Sequence, residues 1–427
     1  MSILHLSQSD TGGGAALAAY RLHTALHDAG TDSRMLVQRK YGDDPTVQAL
    51  RPRMDLLSRA RRTIKRRQMQ GSVARYAATR RHYTLFTDSR ALWDEEVFAQ
   101  IGQPDLVHVH WTYDFVEMAR LSAFVRGRLP LVWTHHDIAG VTGGCHCLGG
   151  CSRWQTGCGL CPELGSRDQN DLSAMTFARK QRIFPTLQAA DLHHVAPSQW
   201  LKSLLERSPL YKHLPVTVIP NGIDTNVFRP SAAGPAREVL FDLHEPDTKV
   251  ILFVAQAVDL PYKGFAVLMD ALSQAGFPSN VVCVSIGAGQ VDVPSGVRHI
   301  ALGSIQNPRW LAQCYSAADV FVIPSLDDNL PNTVLESLAC GTPVVGFATG
   351  GIPDMVRSGI TGETVPTGDA RALAEALRAM LDDDAKRAAL RLSSREVAEH
   401  EYALPLQASR MQALYAQMRE TWMRTIR

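Results

Sequence analysis

The feature that most limits what this chain can become is a rhythm of short apolar runs separated by longer helical stretches, played twice. "SILHLS" (2–7) reads as a strand, "QSDTGGG" as a turn, and "AALAAYRLHTALHDAG" as a helix ending at Gly30. "DLVHVHW" (105–111), "PLVWTHH" (130–136) and "DLHHVAPS" (191–198) read as further strands, and "VTVIPNGID" (216–224) as the exit from this half. A second series follows: "KVILFVAQAV" (249–258), "VVCVSIGAG" (281–289), "VRHIALGSI" (297–305), "DVFVIPS" (319–325) and "PVVGFATGG" (343–351). Strand-length runs alternating with helical patterns build parallel sheets covered by helices. A chain of 427 residues exceeds one comfortable core, so each series forms its own domain. The expectation is α/β: two doubly wound domains facing each other, with ligands at the C-terminal ends of the strands. "FRPSAAGPAREV" (228–239), rich in Pro and Ala, reads as the linker. Residues 405–426 read as one helix that the pattern alone assigns to neither half.

Composition excludes several classes. A net charge of +2 gives no global pull toward nucleic acid or anionic lipid. No run of ~18 apolar residues predicts a transmembrane helix, and "MSILHLSQSDTGGG" lacks the pattern of a secretory signal. A cytoplasmic enzyme is expected, in which clustered cysteines read as metal or redox groups before disulfides.

The most informative stretch is "PSLDDNLPNTVLESLACGTPVVGFATGGIPD" (324–354). A strand ends at Ser325, a loop carries Asp328, and a helix opening near Pro331 carries Glu336 one turn inside. Helix N-termini favour phosphate, and the two carboxylates can accept from sugar and ribose hydroxyls. As a purely structural pair they would be a turn former and a dipole partner. In the facing half, "SDTGGGAALAAY" (9–20) is a glycine-rich turn opening a helix, which lets backbone approach an anion. His108 and His110 fall on one face of their strand; a metal is one use of such a pair, and facing the cleft is the commoner one.

Asp328 and Glu336 occupy the positions of an E-x7-E motif, continued by "ESLACGTPVVGFATGGIPD". With the N-terminal Gly loop, "THHD" (134–137), "PNGID" (220–224) and "KGF" (263–265), the chain resembles the retaining, nucleotide-sugar-dependent glycosyltransferases of family four. That resemblance implies the GT-B fold: an acceptor-side Rossmann-like domain over 1–228, a nucleotide-sugar domain over 236–404, and a C-terminal helix (405–427) crossing back to the first. It implies no cofactor for catalysis. It assigns Glu336 to the ribose hydroxyls, Asp328 to a hydroxyl of the transferred sugar and Lys263 to the diphosphate. Gln256 stands where an arginine is usual. Leu330, Asn332 and Thr333 would offer backbone donors, Gly303 and Ser304 would touch the base, Gly13 and Gly14 the phosphate, and His136 the sugar. The donor would be a GDP- or UDP-sugar carrying a hexose-type unit. The acceptor would be a saccharide or lipid-linked saccharide of surface polysaccharide biosynthesis.

Two features remain. "GGCHCLGGCSRWQTGCGLCPEL" (143–164) holds five of the eight cysteines. Cys145, Cys151, Cys158 and Cys161 suffice for a closed tetrahedral zinc site, with His146 and Cys147 as spares; disulfides and an iron–sulfur cluster are the alternatives. Residues 51–81 carry many arginines, one acid (Asp55) and interspersed apolar residues, which suits either an anionic membrane surface on the inner face of the plasma membrane or a solvated helix. Competing functions are another GT-B enzyme (an epimerase or a phosphorylase) and a zinc-containing nucleic-acid-binding protein. The latter would leave residues 249–354 without a role.

Overall fold

A computed structural model describes residues 1–425. The chain divides into two compact units, Met1–Pro220 with Gln407–Arg427, and Asn221–Leu406.

The first unit is built on seven parallel strands: β1 (Ser2–Ser9), β2 (Asp32–Arg39), β3 (Val47–Ala49), β4 (Leu106–Val109), β5 (Leu131–Thr134), β6 (Leu192–Ala196) and β7 (Val216–Val218). Their order is β3-β2-β1-β4-β5-β6-β7. The second unit has six: β8 (Lys249–Ala257), β9 (Val281–Ala288), β10 (Arg298–Ala301), β11 (Val320–Ile323), β12 (Val344–Phe347) and β13 (Gly362–Val365), in the order β10-β9-β8-β11-β12-β13. These pairings are parallel too. Both are doubly wound Rossmann-like sheets, as the resemblance implies. Each reverses direction at one point, between β1 and β4 and between β8 and β11, and loops leaving those strands are where such sheets bind ligands.

β4, β5, β6, β11 and β12 are buried at every position. That is why they read as continuous apolar runs. β2 and β13 escaped notice because "DSRMLVQR" and "GETV" mix charge with apolar residues near a sheet edge, where one face stays wet. The stretch 228–239 is not a free linker. A helix, Ala233–Phe241, occupies much of it and buries Ala236 and Phe241 in the second unit's core. Its Arg237 donates to the carbonyls of Ala317 (2.8 Å) and Thr248 (3.1 Å) and to Asp319 (2.9 Å).

The final helix, Leu404–Thr425, packs Met411, Leu414, Tyr415 and Met418 against Ile3, Leu22, Leu26 and Val132. Each such side chain contributes roughly 1.5–3 kcal/mol by leaving water. The Tyr415 hydroxyl meets His108 Nδ1 at 2.6 Å, and Gln412 donates to Thr31. From Gln407 onward the helix therefore belongs to the first unit, which the resemblance implied and periodicity left open.

Candidate active site

In the second unit, the turn after β8 meets the loop after β11. Pro261–Lys263 forms a single helical turn, and Gly264 follows with φ 74°. A side chain there would lie 1.8 Å from the Pro324 carbonyl, so only glycine lets the two segments touch. The Leu326 N–H donates to the Tyr262 carbonyl at 2.7 Å and locks the contact. Its product is an ion pair: Lys263 Nζ lies 2.6 Å from Asp328 Oδ2, both side chains largely shielded. Gly350 supports the loop from the other side, since its Cβ would collide with the Asp328 carbonyl.

The helix Asn332–Ala339 begins four residues after Asp328, with Pro331 as its N-cap. Glu336 is 4% exposed and accepts from the Tyr315 hydroxyl at 3.2 Å. A carboxylate this buried needs a dedicated partner, and Tyr315 supplies one. Asn221 of "PNGID" donates to the Asn332 side chain at 3.2 Å. Leu330 is buried, Asn332 and Thr333 are half-buried, and Gln256 is exposed near the end of β8. Gly303 accepts from the Gly287 N–H, and Ser304 lines a groove of about 470 Å³ with Asn307 and Trp310.

In the first unit, Gly13 (φ 101°) caps the helix Gly14–Asp28. Asp10, 1% exposed, accepts from the backbone N–H of Thr11, Tyr41 and Gly42, tying the glycine loop to the exit of β2. His136 follows β5, and its Nε2 is 3.1 Å from His110 Nδ1, whose Nε2 is in turn 3.0 Å from His5 Nδ1. Burial depresses all three: His136 to about 4, the other two well below the ordinary imidazole value. Three neutral imidazoles in a row fix one another's tautomers, because each link needs one donor and one acceptor.

His108 and His110 do not open onto a cleft. His108 is sealed between Tyr415 and Thr134 Oγ1 (2.8 Å), and His110 sits inside the chain just described. His5, His108 and His110 are the one group of three ligand-type side chains, among the described residues, whose ligand atoms lie within 4.8 Å of one another. Both nitrogens of His108 and His110 and Nδ1 of His5 are engaged by hydroxyls or by other imidazoles, which accounts for most of the cluster as a hydrogen-bonded core; His5 Nε2 is buried without a hydrogen-bond partner among the described residues.

Asp137 is held from several sides. Its carboxylate accepts from Trp111 Nε1 (2.7 Å), His146 Nδ1 (2.6 Å) and the Ala139 N–H (2.8 Å). Burial pushes its pKa up, but His146 and the hydrogen bonds outweigh this and hold the carboxyl below its usual value. His146 Nε2 meets Thr87 Oγ1 at 2.9 Å. This corrects the expectation that His146 is a spare for the thiols: both its nitrogens face away to oxygen partners. Lys180, buried and pushed down to about 8, donates to the Thr142 carbonyl at 2.8 Å and also to those of Ala139 and Gly140. The local roles of Asp10, Trp111, Lys180, Tyr315 and Asn221 were missed from sequence, and His146 was read only as a spare ligand. The only signal was a polar or aromatic residue set within or next to the apolar runs and motifs.

A family model described as "Glycosyltransferase Family 4" matches residues 12–227, and one described as "Glycosyl transferases group 1" matches 248–383. A D-inositol 3-phosphate glycosyltransferase of Thermobispora bispora is 25% identical, the alignment covering 99% of this chain and 94% of that protein. Among solved structures, sucrose-phosphate synthase of Thermosynechococcus elongatus superposes with a TM-score of 0.66 at 21% identity, covering 98% and 99% of the two chains. Anabaena Alr3699/HepE in complex with UDP-glucose superposes with a TM-score of 0.63 at 18% identity, covering 98% and 100%.

Proposed function

Because the chain belongs to glycosyltransferase family 4, whose members are retaining enzymes using a nucleotide-sugar donor, we propose that it moves a hexose-type sugar from a UDP- or GDP-sugar to a saccharide or lipid-linked saccharide in surface polysaccharide assembly. The observation carrying this is the Lys263–Asp328 pair at the β8/β11 reversal, with buried Glu336 one turn into the adjoining helix. The donor diphosphate lies against Lys263 and the start of that helix, where a cation and N–H groups balance the leaving charge. Glu336 takes the ribose hydroxyls and Asp328 a sugar hydroxyl, with Gln256, Gly303, Ser304, Leu330, Asn332 and Thr333 lining the donor. Asp328 is one methylene shorter than the usual glutamate, and its ion pair with Lys263 draws the two roles together.

In the first unit, Gly13 and Gly14 approach the phosphate and His136 donates to the sugar. No side chain is needed as a covalent nucleophile. As the glycosidic oxygen leaves with the diphosphate, a phosphate oxygen takes the proton of the acceptor hydroxyl. That hydroxyl attacks from the same face, so the anomeric configuration is kept. UDP-glucose is bound by the HepE protein, which favours UDP-sugars in a first trial. The test is turnover with a panel of UDP- and GDP-hexoses and saccharide acceptors, the product's anomeric coupling read by NMR. Transfer with retained configuration from at least one donor is expected; hydrolysis-free inertness toward every donor would contradict the reading.

The helix Leu56–Ala74 supports a membrane-facing acceptor. Its inner side carries Arg62 and Lys65, paired with Glu96 and Asp94. Its outer side exposes Leu56, Leu57 and Ile64 among Arg59, Arg61, Arg66 and Arg67. We place this face on an anionic bilayer, making the enzyme a peripheral protein of the cytoplasmic side. Among the described residues no helix is long and apolar enough to cross a membrane.

A further inference from the structure

Sugar transfer as drawn makes no use of the cysteine-rich loop. Cys145, Cys147, Cys151, Cys158 and Cys161 form no disulfide and line a single cavity of about 30 Å³. The other three cysteines are buried in the second unit's core, where they pack as small apolar residues.

We propose that this cavity binds one zinc ion through the thiolates of Cys145, Cys151, Cys158 and Cys161. Several observations support the set. The Gly143 N–H donates to Cys158 Sγ at 3.1 Å, and the N–H groups of Glu163 and Leu164 point at Cys161 Sγ. Cys145 and Cys161 hydrogen-bond to each other without forming a disulfide. Cys158 lies within electrostatic reach of Cys151 and Cys161, and Cys145 within reach of Cys158. Cys158 (φ 64°) and Leu160 (φ 49°) both hold left-handed backbone that disfavours side chains.

In a closed site with Zn–S near 2.3 Å, the sulfurs stand about 3.8 Å apart. No three cysteine sulfurs, among the described residues, come within 4.8 Å of one another here, so binding requires the side chains to rotate inward. Cys145, Cys151 and Cys158 are only part-buried and have room to do so. Soft thiolates select zinc, copper(I) or iron–sulfur clusters. A cavity of about 30 Å³ has room for one ion.

The binding step releases four thiol protons to solvent and leaves a zinc tetrathiolate of charge −2. Arg153 on the cavity wall and the buried Lys180 ammonium near Cys158 offset part of that charge. With four thiolates the ion keeps no open position, so it braces the loop. Through His146 the same loop grips Asp137, next to His136, and through Thr142 Oγ1 it holds the Cys145 carbonyl at 2.7 Å. The ion binds whether or not the donor reading above is right, so the two stand or fall separately.

The test uses the full chain purified under reducing conditions without chelator. Elemental analysis should give about one zinc per chain in the wild type and in Cys147→Ser, and below about 0.1 in Cys158→Ser and Cys161→Ser. Should those variants fail to fold, a thiol-reactive dye on the wild type reads the same site: four additional thiols should react once a strong chelator is added. Cobalt(II) exchanged into the protein should show thiolate-to-metal charge transfer. Folded wild-type protein with less than about 0.1 zinc per chain, stoichiometric iron in its place, or a mapped Cys145–Cys161 disulfide would overturn the proposal.

Discussion

A histidine in a strand is ambiguous by sequence alone, and this chain shows why. "HVH" and "THH" expose which residues share a face, but not what closes over that face. Here Tyr415, about 300 positions downstream, seals His108, and Glu336 is met by Tyr315, which no motif marks. The identities of Lys263, Asp328 and Glu336 were legible; their partners were not, because partners arise from packing rather than spacing. The buried histidines have a measurable consequence. His23 and His193 are held near 4 by burial, against about 6.5 when unfolded. A folded pKa lying below the unfolded one means the unfolded chain binds more protons between those values. Stability is therefore full above pH 6.5 and lost as pH falls toward 4, each of these two residues contributing about 2 kcal/mol of loss by pH 5. Asp114 and the buried Glu117, whose carboxyl pKa values are raised by desolvation, oppose this only near their own titration range. Urea unfolding followed by circular dichroism should show a lower midpoint at pH 5 than at pH 7.5. Equal midpoints would mean these imidazoles are not buried neutral.

At the scale of elements, strands buried on both faces announced themselves as apolar runs, and the edge strands β7 and β10 were legible too, whereas β2, β3 and β13 were not. The Pro- and Ala-rich 228–239 stretch shows the converse error, composition mistaken for looseness where Arg237 in fact nails a helix to its neighbours. The helix Leu56–Ala74 was legible as amphipathic, and the structure divides its cations into paired and exposed sets. Each exposed arginine near an anionic surface is worth about 1 kcal/mol. Arg61→Gln combined with Arg67→Gln should weaken binding to phosphatidylserine-containing vesicles roughly thirtyfold, and raised salt should do the same. Sedimentation that shows no binding to such vesicles at low salt would remove the membrane-facing role and leave a solvated helix.

For the whole molecule, two parallel sheets were readable because each strand ends where a turn begins, and the turns carry the residues of the proposed site. Both units place residues of the proposed site on loops that leave the sheet where strand order reverses: Gly13 after β1, Lys263 after β8 and Asp328 after β11. Most of the proposed nucleotide contacts lie in the second unit. Titration calorimetry with UDP and GDP tests it directly. One nucleotide should bind the wild type, with Glu336→Gln and Lys263→Ala each weakening it about 10- to 100-fold, the range for lost charged hydrogen bonds of 1.5–3 kcal/mol; Cys147→Ser should leave it unchanged. Folded Glu336→Gln and Lys263→Ala proteins that bind the nucleotide as tightly as the wild type would contradict the account.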